Sequence, residues 1–373
     1  MLFHPYEIAL CGFSGSGKTT LAAAVVNRLS ERFTVGCYKH GCHRFDIDRE
    51  GKDSFIFKDA GAETVMISDP VKKAVISRNG STGIREREIF RACDMLIVEG
   101  LKELPLPKLL MVDRERKILD RLAEGTIPGV IALVETGNEP DQLKSLYDLP
   151  VFHRDDVQTV TAFIESCIAH RAMETPLSGL ILAGGKSSRM GTDKALITYH
   201  GKNQLIHTSS LLSSYCREVF ISCRADQKPK YEAFGLPIIT DRYLETGPAG
   251  GILSAQSRYP ERAWLTVACD MPFLGTELLD TLLDNRMHLR FATAFRNEDT
   301  GHYEPLCACY EPKSRQELLA RHAEGDDSLH SFLADSRIGE IAVSDTHHLL
   351  NINDPEALRA ALNAGSLPGG EQQ

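Results

Sequence analysis

The stretch "LILAGGKSSRMGTDK", Leu180 to Lys194, and the earlier "GFSGSGKTT", Gly12 to Thr20, together decide the fold. In the N-terminal stretch Gly12, Gly17, Lys18 and Thr19 fit GxxxxGK[ST], between the apolar run "IALCG" and the helix-like "TTLAAAVVNRLSE". In that strand-loop-helix setting backbone N–H groups surround phosphates, Lys18 reaches the outer ones and the Thr19 hydroxyl coordinates Mg2+; Gly15 and Thr20 complete the expected contact set. The later stretch ends its glycine turn in "GGKSS" but has Leu180 where that pattern requires glycine, so it is a different loop. There Ala183, Gly184 and Gly185 make a turn after a strand, and Arg189 and Lys194 follow, with Met190 and Gly191 between them. Small residues let backbone amides approach a triphosphate closely, and two cations neutralise its oxygens.

The 373 residues exceed one ordinary core, which typically holds about 100 to 200, so two domains are expected. A hydrophobic fraction of 42% and a charged fraction of 25% fit a globular chain that can bury both. The net charge of -9 argues against a protein that tracks nucleic-acid phosphates, because that binding relies on basic faces. No apolar run approaches the roughly 20 residues of a membrane span. "MLFHPYEIALCG" contains an acid and runs into the first loop, so it reads as a strand rather than a signal peptide. Ten cysteines without CxxC pairs fit reduced thiols in a cytoplasmic protein.

The runs "IALCG", "MLIVEG" and "VIALVET" are short, uninterrupted and separated by helix-like segments, the pattern of parallel strands buried on both faces of a doubly wound α/β sheet. "VQTVTAFIESCIAHRAM", Val157 to Met173, reads as the closing helix, and Pro176 ends it. A second α/β series then starts, with strands "LSGLILA", "EVFISC", "LPIIT" and "WLTVACD". The domains are thus expected at 1–173 and 177–364, with a flexible tail at 365–373. The two loops differ in pattern, so the halves are not a duplication.

A metal on Thr19 needs a carboxylate. Glu99 ends "DMLIVEG" at the carboxyl end, where ligands of α/β sheets collect, whereas Asp94 opens the same strand. Asp46 and Asp48 read equally well as metal-side acids or as a solvated loop. His40, Cys42 and His43 lack the second ligand pair of a zinc site, so loop packing or a phosphate-side role comes first.

In the second half Asp270 ends "WLTVACD" across from the glycine loop, placed to hold Mg2+ on α-phosphate oxygens. "IITDRYLETGPAGG" adds Asp241 and the glycines Gly247, Gly250 and Gly251; for either acid a helix cap or solvated turn is the alternative. The arrangement suits attack by a phosphate on the α-phosphorus of a nucleoside triphosphate, with pyrophosphate leaving. A phosphate monoester, with its second pKa of about 6, needs no general base, so Arg189, Lys194 and Asp270 carry catalysis by positioning and neutralisation.

"GFSGSGKTT", "KHGCHRFDIDREGKDS", "AGAETVMIS" and "DMLIVEGLK" resemble the MobB family of GTP-binding molybdenum cofactor proteins. That resemblance implies a P-loop domain that binds GTP, hydrolyses it slowly at most and acts as an adapter, with homodimerisation through this half left open. Base choice is not readable here, since "GNEPD" offers Asn138 and Asp141 but no lysine of the common guanine motif.

"LAGGKSSRMGTDKALITYHGK", "TGPAGGILSA", "ACDMPF", "YEPLCACY" and "NINDPEAL" resemble the MobA-type molybdenum cofactor guanylyltransferases. The resemblance implies a Rossmann-like domain that transfers GMP from GTP to molybdopterin, or its molybdenum-bearing form, giving the guanine dinucleotide cofactor and pyrophosphate. Carried over, Leu182, Ala183 and Gly184, with Gly185 in the same turn, contact the nucleotide, Lys194 its phosphates, and Asp241 the nucleotide side. Asp270 contacts both nucleotide and Mg2+, and Asn351 and Asn353 face the pterin, with a turn in "NIND" as their alternative. Where the family often has "VNAN", this chain has Ile221, Ser222, Cys223 and Arg224, so no base or ribose contact is carried over there.

The expected partners are GTP in both halves, molybdopterin, the proteins that supply it and the client molybdoenzymes, without nucleic acid or membrane. Fusion makes the meeting of the two halves intramolecular, at an effective concentration that can reach about millimolar. Two other functions stay open: a nucleotidyltransferase making a cytidylyl cofactor or sugar nucleotide, and a GTP-regulated delivery protein whose second site is degenerate.

Overall fold

The computed structural model describes residues 3–40, 49–77, 86–137, 143, 146–184, 194–198 and 201–352. The chain divides into two compact units, Met1–Arg171 and Ala172–Gln373.

The first unit contains β1 (Glu7–Cys11), β2 (Val35–Lys39), β3 (Thr64–Ser68), β4 (Lys73–Ser77), β5 (Met95–Glu99), β6 (Lys108–Met111), β7 (Val130–Glu135) and β8 (Val151–His153). Six of them form one sheet in the order β2-β5-β1-β6-β7-β8, with every neighbouring pair parallel. All residues of β1 and β6 are buried, as continuous apolar runs covered on both faces require. The sequence reading did not find β2, whose pattern is mixed, nor the separate antiparallel hairpin of β3 and β4. The helix expected at the end of this half occupies Val157–Met173.

The second unit contains β9 (Leu177–Leu182), β10 (Val219–Cys223), β11 (Ile238–Thr240), β12 (Ala263–Ala268), β13 (Ala292–Asn297), β14 (Tyr303–Tyr310) and β15 (Gly339–Val343), ordered β11-β10-β9-β12-β14-β13-β15. The four strands expected from sequence form one parallel run, and β13 pairs in parallel with β15 at the other edge. β14 runs antiparallel to both β12 and β13, so the sheet is mixed. Side chains from its two faces build separate cores, one around Leu265 and Phe295 and the other around Trp264 and Tyr310.

Among the described residues no disulfide links the cysteines. No helix among them is long and apolar enough to cross a membrane.

Candidate functional site

Each unit presents a loop at the carboxyl ends of its parallel strands. In the first, the chain leaves β1 through Gly12 and enters the helix Lys18–Leu29 at Gly17. Gly15 and Gly17 have φ of +78° and +86°, left-handed values that strain residues with a Cβ, which is why the spacing needs glycine. Gly17 brings no capping side chain, so the first-turn N–H groups of Lys18, Thr19 and Thr20 remain for an anion.

The Lys18 ammonium donates to the Phe13 carbonyl at 2.6 Å, and burial holds its pKa below the usual lysine value against the pull of Glu99. The Thr19 hydroxyl lies 3.0 and 3.1 Å from the two Glu99 carboxylate oxygens, so the structure brings the expected pair together. Asp94 instead lies at the far end of the strand, fully buried, accepting the Thr34 N–H at 2.8 Å. Cys42, His43, Asp46, Asp48, Asn138 and Asp141 lie outside the described residues.

Three residues near this loop were not singled out from the sequence. The Lys39 ammonium, at the end of β2, is 3.4 Å from both Glu99 Oε1 and the Thr19 hydroxyl. Glu135 ends β7, and Arg154 follows β8. A charged residue at the carboxyl end of an apolar strand was the available signal: "VIALVE" carries it as plainly as "MLIVE".

In the second unit, the register of β9 and β12 sets Leu182 beside Ala268, so the two chains leave the sheet together towards Gly184 and Asp270. Ala183 is buried; its N–H donates to the Ser222 carbonyl at 2.9 Å and its carbonyl accepts the Tyr231 hydroxyl at 3.1 Å. A Cβ on Gly184 would lie 3.1 Å from Asp241 Oδ2, which places Asp241 against the loop. The Ser222 hydroxyl holds the other Asp241 oxygen at 2.7 Å. Burial pushes the Asp241 carboxyl up, while Ser222 and the Arg224 charge pull it down. Serine at 222 therefore anchors the acid beside the loop.

On the opposite flank, the Asp270 carbonyl accepts the Ile352 N–H at 2.9 Å, bringing Asn351 to this end of β12. Asn351 Oδ1 is enclosed and has no hydrogen-bond partner among the described residues, the state of an acceptor that awaits a donor. Glu304 of β14 also lies here. Burial pushes its carboxyl up to about 7, the Leu306 N–H at 2.9 Å opposes that, and the Asp270 charge adds to it. Sequence reading had quoted "YEPLCACY" without assigning Glu304 a role. A buried carboxyl beside the Asp270 charge is a setting that a bound cation relieves. Gly185, Arg189 and Asn353 lie outside the described residues, and Lys194 opens the short 3-10 turn Lys194–Leu196 that follows the loop.

Residues 179–341 match the family described as MobA-like NTP transferase domain, and residues 7–136 match Molybdopterin guanine dinucleotide synthesis protein B. The chain is 36% identical over 183 residues to a molybdenum cofactor biosynthesis bifunctional protein of Synechocystis sp.; the match covers 49% of this chain and about half, 53%, of that relative. It is 30% identical over 190 residues to a molybdenum cofactor guanylyltransferase of Cupriavidus taiwanensis, covering 49% of this chain and 95% of the relative. Among solved structures, Bacillus subtilis MobB aligns with 26% identity and a TM-score of 0.35, covering 43% of this chain and 96% of that one.

Proposed function

Because the chain belongs to the molybdenum cofactor guanylyltransferase family, we propose that its second unit transfers GMP from GTP to molybdopterin or its molybdenum-bearing form, releasing pyrophosphate. The first unit serves as a GTP-binding adapter. The observation that supports the reading is Gly184 against Asp241 on one flank and, on the other, the pairing of Leu182 with Ala268, two residues before Asp270.

A triphosphate laid along that loop presents its α-phosphorus near Asp270. An oxygen of the pterin's terminal phosphate attacks it, a new P–O–P bridge forms, and the bond to the β-phosphate oxygen breaks, with the electron pair leaving on pyrophosphate. The attacking phosphate is already ionised, so no proton has to be moved. Arg189 and Lys194 are assigned to neutralise the phosphates, and Leu182, Ala183, Gly184 and Gly185 to supply backbone contacts. Asp241 orients the nucleotide, while Asn351 and Asn353 take the pterin.

Asp270 would hold Mg2+ in this unit, and Thr19 with Glu99 in the other, where the Lys39 ammonium already lies against both. Bound there, the ion supplies charge neutralisation on phosphate oxygens. Gly12, Gly15, Gly17, Lys18, Thr19 and Thr20 bind the adapter's GTP. The working units are 1–173 and 177–364, with 365–373 as a tail. Further parts of the proposal are a cytoplasmic protein, homodimerisation through the first unit, and exchange with molybdopterin-supplying proteins and client molybdoenzymes.

The test is a panel of GTP, CTP, UTP and ATP with molybdopterin and Mg2+, read as dinucleotide product. Product from GTP alone is expected; product from CTP or UTP instead would assign the transferase to another nucleotide.

A further inference from the structure

Thr19, Glu99 and Lys39 all lie on one side of β1, towards β5 and β2. A triphosphate whose outer phosphates reach that side leaves its nucleoside on the other, over the carboxyl ends of β6, β7 and β8. Arg154 and Glu135 lie there.

The Arg154 side chain covers the last glycine of the loop: its Cδ and Nη1 are 3.0 and 3.3 Å from where a Cβ on Gly17 would sit. Its backbone N–H donates to the Glu135 carbonyl at 2.8 Å, which ties it to the end of β7. Glu135 itself is only 3% exposed. Its Oε2 has the Arg116 guanidinium at 3.9 Å, a long ion pair, and its Oε1 is enclosed without a hydrogen-bond partner among the described residues. A buried carboxylate oxygen left in that state is a standing cost to the fold, removed if a ligand brings a donor.

We propose that Glu135 and Arg154 form the base-reading part of the N-terminal nucleotide site, with Glu135 taking the paired N–H donors of guanine and Arg154 supporting the nucleoside side of the loop. Guanine presents N1–H and N2–H2 on one edge, matching the two oxygens of a carboxylate. Adenine presents an acceptor, N1, beside its amino group, and a carboxylate repels it. The assignment supplies an acid reader to a chain whose "GNEPD" segment offers no guanine-reading lysine. Oε1 is enclosed, so the base enters with a side-chain shift.

This inference rests on the reading of the first unit as a GTP site, and the experiment separates the two. Fluorescent GTP and XTP are titrated into the full chain, and the N-terminal component is defined as the binding lost in Lys18→Ala. Xanthine carries a carbonyl where guanine has its 2-amino group, so the amide of Glu135→Gln can donate where the carboxylate could only accept. Glu135→Gln is expected to weaken the Lys18-dependent GTP component by about tenfold to a hundredfold and to shift preference towards XTP. A gain for XTP cannot come from misfolding. Arg154→Ala is expected to weaken both nucleotides alike. An unchanged GTP to XTP ratio in Glu135→Gln overturns the base assignment alone, whereas GTP binding unaffected by Lys18→Ala overturns the underlying site and the assignment with it.

Discussion

Replacing Glu304 with glutamine should remove a pH-dependent weakness from the second unit. Burial, with the Asp270 charge adding to it, raises the Glu304 carboxyl from its ordinary 4.5 to about 7. Between those values the unfolded chain gives up this proton while the native chain keeps it. The native state then binds more protons, so stability falls as pH rises through the window. At about 1.4 kcal/mol per pH unit, the displacement corresponds to roughly 3 kcal/mol lost by pH 8, an upper figure because the side chain is part-exposed. Glutamine keeps an oxygen for the Leu306 N–H and carries no titrating proton. Trp264 is the only tryptophan of the chain and is fully buried on β12, so urea unfolding followed by its emission reports the second unit. Wild type should lose up to about 2.5 kcal/mol relative to Glu304→Gln between pH 5 and pH 8. Parallel stability curves for the two proteins would refute the coupling of Glu304 to its buried setting and to Asp270.

Two further perturbations address the loops. Lys39→Ala removes the ammonium that lies against Glu99 and Thr19, so the nucleotide-free chain should bind Mn2+ several-fold more tightly at this site, read by electron paramagnetic resonance; unchanged affinity would show that the ammonium does not compete there. Gly251→Ala would place a Cβ 2.5 Å from the Ser222 hydroxyl and 2.8 Å from Leu182 Cδ2, inside the support of Asp241. It should cost about 1 to 3 kcal/mol on the Trp264 unfolding curve and reduce transfer; an unchanged midpoint would contradict the packing argument.

The strands that position both sites were readable because they are short apolar runs followed by glycine or by a single acid. "IALCG" and "MLIVEG" led directly to Lys18, Thr19 and Glu99, and the structure places Thr19 against Glu99. What escaped were contacts made by residues far apart in sequence. Arg154 lies against Gly17, and Glu304 near Asp270, through strand order that no local pattern records. β14 escaped for a local reason: Pro305 and Glu304 open it with polar and imino residues that argue against an interior strand. The sheet accepts them because Pro305 lies beyond the last β12 pair, Val267 with Cys307, and beside the register shift of β13.

The central claim is that guanylyl transfer occurs at Asp270 and not at the N-terminal loop. The direct measurement is pyrophosphate release and dinucleotide formation from GTP, Mg2+ and molybdopterin by wild type, Asp270→Ala and Lys18→Ala. Asp270→Ala should lose transfer by a hundredfold or more while GTP binding at the first unit persists, and Lys18→Ala should keep transfer at saturating substrate. Wild-type turnover in Asp270→Ala, or loss confined to Lys18→Ala, would contradict the account.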